Sequence, residues 1–176
     1  MGQVFAIVLA AIVGLIYFYA DTKWGPNERR KRLRKSPFKE LRQLGFEEKD
    51  NQLVGTFEYF QILAQYNWSG SNGKPSVMLH ALFNPKRTNG FIPMDKIDHL
   101  NKKHKKEQLI WSINSISREW NFNFKPPKFE AIESFLPLAT TLLKEEQLEP
   151  LTLEESDAME AEYLAYLEKQ KNQKRW

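Results

Sequence analysis

Residues 3–20, QVFAIVLAAIVGLIYFYA, carry no charge and no proline, and Gln3 is their one polar residue. As a helix, such a run reaches roughly 27 Å, close to the thickness of a bilayer's hydrocarbon core. No other stretch constrains the chain as strongly, because so much apolar surface must be covered by lipid or by protein. The run predicts an uncleaved transmembrane helix. A cleaved leader would bring a basic start, a shorter apolar centre and a small-residue exit. Here Met1 and Gly2 alone precede the run, and bulky Phe18 stands near its end. Tyr17, Tyr19 and Trp24 supply the aromatics that favour a membrane interface. Buried helices of globular cores rarely run so far without a polar position.

The flanks orient the span. No Lys or Arg lies before it, whereas Lys23, Arg29, Arg30, Lys31, Arg32, Arg34 and Lys35 follow closely. This bias predicts an amino terminus outside and the rest of the chain in the cytoplasm. Ala6, Ala10 and Gly14 recur every fourth residue, a candidate stripe for close association with another membrane helix. The segment PNERRKRLRK, residues 26–35, reads as a short juxtamembrane helix. Its Arg29, Arg30, Lys31, Arg32, Arg34 and Lys35 are candidate contacts for anionic lipid, at about 1 kcal/mol each beside the leaflet. A topology signal alone is the alternative. Nucleic acid is a poorer partner, since the segment is pinned against a competing polyanionic surface.

The chain therefore divides into an anchor (1–23), a polybasic linker (24–36), a cytoplasmic domain (37–149) and a C-terminal amphipathic helix with its tail (150–176). With 41% hydrophobic and 13% aromatic residues, the chain has material for a real core. The absence of cysteine excludes disulfides, thiolate zinc sites and cysteine nucleophiles. The net charge of +4 hides an asymmetry, with basic residues behind the membrane and acidic ones between 145 and 162.

Ser36 and Pro37 read as N-cap and first residue of a helix that carries Phe38, Leu41 and Leu44 on one face and stops at Gly45. From 52 to 68 the period falls to two, with Phe60, Ile62, Ala64, Tyr66 and Trp68 on one face and Leu63 as the exception. A turn near Glu58 and Tyr59 would make this stretch a hairpin. Val77, Leu79, Ala81 and Phe83 alternate in a further strand, followed by an exposed loop from 84 to 93. Asp95 is expected to cap a helix to about Glu107, whose Lys102, Lys103, Lys105 and Lys106 suit the negative end of its dipole. Residues 109–124 read as a second hairpin, turning between Asn114 and Arg118. A helix interrupted near Pro137 follows, and Thr152 with Glu155 forms a capping box for the last one. The expected fold class is α+β: an antiparallel sheet of about four to six strands, packed on one face by flanking helices.

Candidate chemistry is sparse. His80 stands opposite the Val77–Leu79–Ala81 face, and Asp95 with His99 shares a helical face, too few ligands for a metal. The chain holds no glycine-rich phosphate loop, nucleophile elbow or zinc-protease signature, so the sequence points to no catalytic residue and no cofactor. The interleaved Trp111, Arg118, Trp120, Phe122, Phe124 and Lys125 read as core aromatics rather than a base-stacking surface. The leading functional reading is a membrane-anchored, non-enzymatic accessory or scaffold protein, partnered by another membrane or cytoplasmic protein. A tethered domain binding a small ligand or anionic lipid is the alternative, and an enzyme without a recognisable motif is the third.

On the last helix, Leu153, Met159, Tyr163, Tyr166 and Leu167 form an apolar side, and acidic residues occupy much of the rest. Met159, Tyr163, Tyr166 and Leu167 are candidate partner-binding anchors. The competing expectation is that the stripe folds back on its own domain, with its acids facing the lysines at 102–106.

Overall fold

The computed structural model describes residues 12–14, 25–68, 70, 72–88 and 90–173. Of the apolar run, these include residues 12–14, which are helical, with Ile12 48% and Val13 56% exposed. The rest of the expected span, with Ala6 and Ala10, lies outside the described residues. A Cβ added to Gly14 would meet nothing within 4 Å. No helix among the described residues is long and apolar enough to cross a membrane.

The fold is mixed α+β, an antiparallel sheet flanked by helices. Helices α1 (Gly25–Arg32) and α2 (Phe38–Gln43) lead into the strands β1 (Glu47–Lys49), β2 (Gln52–Phe57), β3 (Phe60–Asn67) and β4 (Ser76–Asn84). A small hairpin of β5 (Lys86–Arg87) and β6 (Gly90–Phe91) precedes α3 (Met94–Lys103). Then come β7 (Leu109–Trp111), β8 (Ser115–Asn121), α4 (Phe129–Glu133), α5 (Phe135–Glu145), β9 (Glu149–Pro150) and α6 (Leu153–Gln173). The seven-stranded sheet runs β1-β2-β3-β4-β8-β7, with β9 paired to the end of β4. Every pairing is antiparallel.

Alternation dictates the layers. Phe60, Ile62, Ala64 and Tyr66 of β3 face the same side as Val77, Leu79, Ala81 and Phe83 of β4, because directly opposed residues of an antiparallel pair share a face. Helices α2 to α5 cover that side with Phe38, Leu41, Ile97, Leu100, Ile132, Phe135 and Leu143, all buried. Gly55 is a glycine because the Phe46 ring lies where its Cβ would be, 2.5 Å away.

The expectation that helices cover one face alone is corrected. Leu63, Leu82 and Leu151 form a second cluster on the other face, against Val54, Leu153 and Met159, so the amino-terminal part of α6 lies across it. Leu63 breaks the alternation of β3 because it answers to this second cluster.

Local details differ from expectation for identifiable reasons. The turn at Glu58 and Tyr59 holds, although both residues sit in the left-handed region at φ 46° and 77° with no glycine or asparagine to ease it. The Glu58 carboxylate accepts hydrogen bonds from Thr140 Oγ1 at 2.8 Å and Lys144 Nζ at 2.9 Å, which ties this turn to α5. Pro37, not Ser36, is the N-cap of α2, without a side-chain cap bond. The second hairpin turns at residues 112–114, where Ser112 N–H donates to Ser115 O at 2.8 Å. The late helix breaks at Ser134 rather than at Pro137, which occupies the first turn of α5, where a missing N–H costs nothing. The segment 84–93, expected as a plain loop, contains the β5–β6 hairpin. The capping box forms: the Glu155 carboxylate accepts from the Thr152 N–H at 3.1 Å.

Candidate membrane-facing surface

The basic segment after the apolar run is part of the domain, not a free linker. Leu33, lying among its charges, is 0% exposed and belongs to the main core. Its N–H closes the last turn on Arg29 O at 2.9 Å, and its carbonyl accepts from Arg42 Nε at 3.2 Å. Arg32 places its guanidinium over the Tyr66 ring, 5.8 Å from the centroid. Arg30 Nε donates to Asn51 Oδ1 at 3.1 Å. The helix is thus clipped to β3 and to the β1–β2 turn.

This clipping divides the six candidate lipid contacts. Arg29 and Arg32 are half-buried against the domain, and the Arg29 Nε is enclosed without a hydrogen-bond partner among the described residues. Arg30, Lys31, Arg34 and Lys35 are exposed. Lys31 pairs with Glu28 at 2.7 Å, and that hydrogen bond holds the Glu28 carboxyl below its ordinary pKa. Burial pushes the Tyr66 phenol up, with Arg32 acting against the shift.

Antiparallel pairing brings further segments to the same end of the sheet. Asn67 pairs with Ser76, and Ser76 with Asn121, so the chain leaving β3, the chain entering β4 and the chain leaving β8 lie side by side. Phe122 N–H donates to Pro75 O at 3.0 Å, holding two of these loops together. The Tyr66 ring touches both Trp68 and Phe122, each with centroids 6.3 Å away. Beyond them Trp68 is 41% exposed and Phe124 is 95% exposed. Lys74, Lys125 and Lys128 are exposed on these loops. The expectation that Phe124 is core is corrected. Strand pairing stops at Asn121 before the Pro126–Pro127 break, so the alternation no longer has a sheet to define its faces. Trp111 and Trp120 do pack inward, the latter edge-on to Phe135 at 6.1 Å.

Beside this end lies a groove of about 660 Å³ whose lining includes Asn101, Lys105, Gln108, Trp120, Phe122 and Lys125. The same lining holds the Glu119 carboxylate and Asn121, and the Asn101 amide is bonded to the Trp111 backbone, so the two ammonium groups share the groove with one acid.

The polar face of the sheet is a hydrogen-bonded array. His80 Nδ1 lies 2.8 Å from Ser117 Oγ, Ser76 Oγ donates to Glu119 Oε1 at 2.6 Å, and Gln65 Nε2 donates to Gln52 Oε1 at 2.6 Å. Burial lowers the His80 pKa, leaving a neutral imidazole at physiological pH. A neutral histidine against a serine is the first half of an activated nucleophile. Ser117, however, is paired on both sides, to His80 in β4 and Ile110 in β7. Residues 116–118 are flanked by strands on both sides, so Ser117 stands in the middle of the sheet and not on a strand-to-helix turn. His104, just past the lysine-rich end of α3, is buried beside Trp111. The described residues contain no group of three or more His, Cys, Asp or Glu suited to a metal.

The candidate partner anchors on α6 are engaged within the chain. Tyr163 is 0% exposed, donates to Ile92 O at 2.7 Å and packs edge-on to Phe91 at 5.3 Å. Tyr166 also meets Phe91, at 5.2 Å, and Met159 joins the second cluster. Leu167 is half-buried. The acids of α6 pair with Lys49, through Glu154, and with Lys86, through Glu162, rather than with the lysines at 102–106. No family model, curated protein or solved structure matches this chain.

Proposed function

We propose that this chain is a single-pass membrane protein holding a non-enzymatic accessory or scaffold domain against the cytoplasmic leaflet, for another membrane or cytoplasmic protein. The burial of Leu33 carries this reading. An apolar run followed within a few residues by a helix tied into the core keeps the domain within a short reach of whatever holds that run. The exposed Arg30, Lys31, Arg34 and Lys35 add attraction to anionic lipid. Engagement of the His80–Ser117 pair within a fully paired part of the sheet favours a binding role over catalysis.

The groove flanked by Lys105 and Lys125 favours a second reading, a tethered domain that takes a small anionic ligand or a lipid headgroup. Alkaline extraction of the full chain from expressing cells tests the anchor that both readings share. The chain is expected to stay with the membrane pellet. Quantitative release into the supernatant would refute the anchor.

A further inference from the structure

We propose that the end of the sheet bearing Phe124 and Trp68 docks on the same anionic bilayer that holds the anchor, with Phe124 entering the headgroup layer. This rests on the anchored reading and adds to it a defined orientation of the domain.

Three observations converge on that end. The first is reach: residues 21–24 separate the apolar run from α1, and four extended residues span at most roughly 14 Å. Because Arg30 holds Asn51 and Arg32 covers Tyr66, the tether enters at this end of the sheet and not at the opposite one, where Tyr59 lies. The second is apolar exposure. Phe124 is 95% exposed in the loop that leaves β8, Trp68 is 41% exposed where the chain leaves β3 at the same end of the sheet, and aromatic rings of this kind favour the membrane–water interface. The third is charge. Lys74, Lys125 and Lys128 are exposed on these loops, and Arg30, Lys31, Arg34 and Lys35 belong to the adjoining clip; against these seven cations stand Asp50 in the β1–β2 turn, Glu28, which pairs with Lys31, and Glu119, which accepts from Ser76. Exposed aromatics on loops where cations outnumber acids complement an anionic leaflet.

The chain contains no cysteine, so single-cysteine variants can carry a spin label without background. Asn123→Cys places the label beside Phe124, and Tyr59→Cys places it at the far end; both positions are exposed. Each full-length variant is reconstituted into nanodiscs of phosphatidylcholine with or without phosphatidylserine, and collision with oxygen is compared with collision with a water-soluble nickel chelate. In phosphatidylserine discs the label at 123 is expected to show an oxygen-to-nickel ratio several-fold above that at 59. Adding Phe124→Ser should bring the two together without changing the melting temperature, since the removed ring packs on nothing. Equal, aqueous ratios at 123 and 59 in discs that retain the chain would overturn the docking while leaving the anchor intact. Shielding at 123 from both reagents would overturn it in favour of a protein contact. Failure of the chain to enter discs at all would overturn the anchored reading itself.

Discussion

Replacing Leu33 with alanine is expected to destabilise the domain by about 3 kcal/mol, a typical cost for truncating a buried leucine. For a domain of this size that lowers the melting temperature by roughly 6–12 °C. The effect follows from position alone: Leu33 is 0% exposed in the main core, and its carbonyl holds Arg42 Nε. The neighbouring Arg34→Ala removes an exposed charge and is expected to stay within about 0.5 kcal/mol. Thermal melts of the full chain in mild detergent, followed by near-ultraviolet circular dichroism, make the comparison. Equal melts for wild type and Leu33→Ala would mean that the basic segment is an independent linker and that nothing orients the domain at the membrane.

Tyr163→Ala is expected to cost about 4 kcal/mol, because it empties a fully enclosed aromatic site between Phe91 and Ile92. Tyr163→Phe keeps the ring and abandons the Ile92 carbonyl, for a loss of about 1 kcal/mol. The ratio between the two substitutions separates packing from hydrogen bonding at this position. Charge contributes little here, since the Lys86–Glu162 pair is half-exposed on both sides. Denaturant unfolding of both variants checks the values. Unchanged stability in Tyr163→Ala would mean that α6 is held by something other than its own domain, and its stripe would again be open to a partner.

Much of the fold was legible from periodicity. The alternation in β3 and β4 identified the core face, and Thr152 with Glu155 marked the start of α6, because both signals are local. Leu33 was not legible. A lone leucine among arginines and lysines gives no period, and the core cluster it joins is built mostly from residues far along the chain, among them Tyr66, Leu79 and Ile116. The fate of the α6 stripe was half legible: its amphipathicity showed in sequence, but Phe91 and Ile92 sit in a segment whose asparagines, prolines and glycine read as loop. Phe124 misled for the opposite reason, since its spacing continued a strand pattern beyond the point where pairing ends. The end of the sheet that bears Trp68 and Phe124 is assembled from α1, the β3–β4 connection and the chain after β8, which are far apart in sequence. Composition supplied its lysines and aromatics, and strand register was needed to put them together.

A single cysteine at Asp157, exposed on α6, tests the central claim most directly. Sealed cells expressing the full-length Asp157→Cys chain are treated with a membrane-impermeant maleimide, before and after the membrane is opened with detergent, and the alkali-resistant fraction is analysed. Modification after opening alone is the result predicted for a domain held on the cytoplasmic side of its own anchor. Modification in sealed cells, or a chain missing from the alkali-resistant fraction, would contradict it.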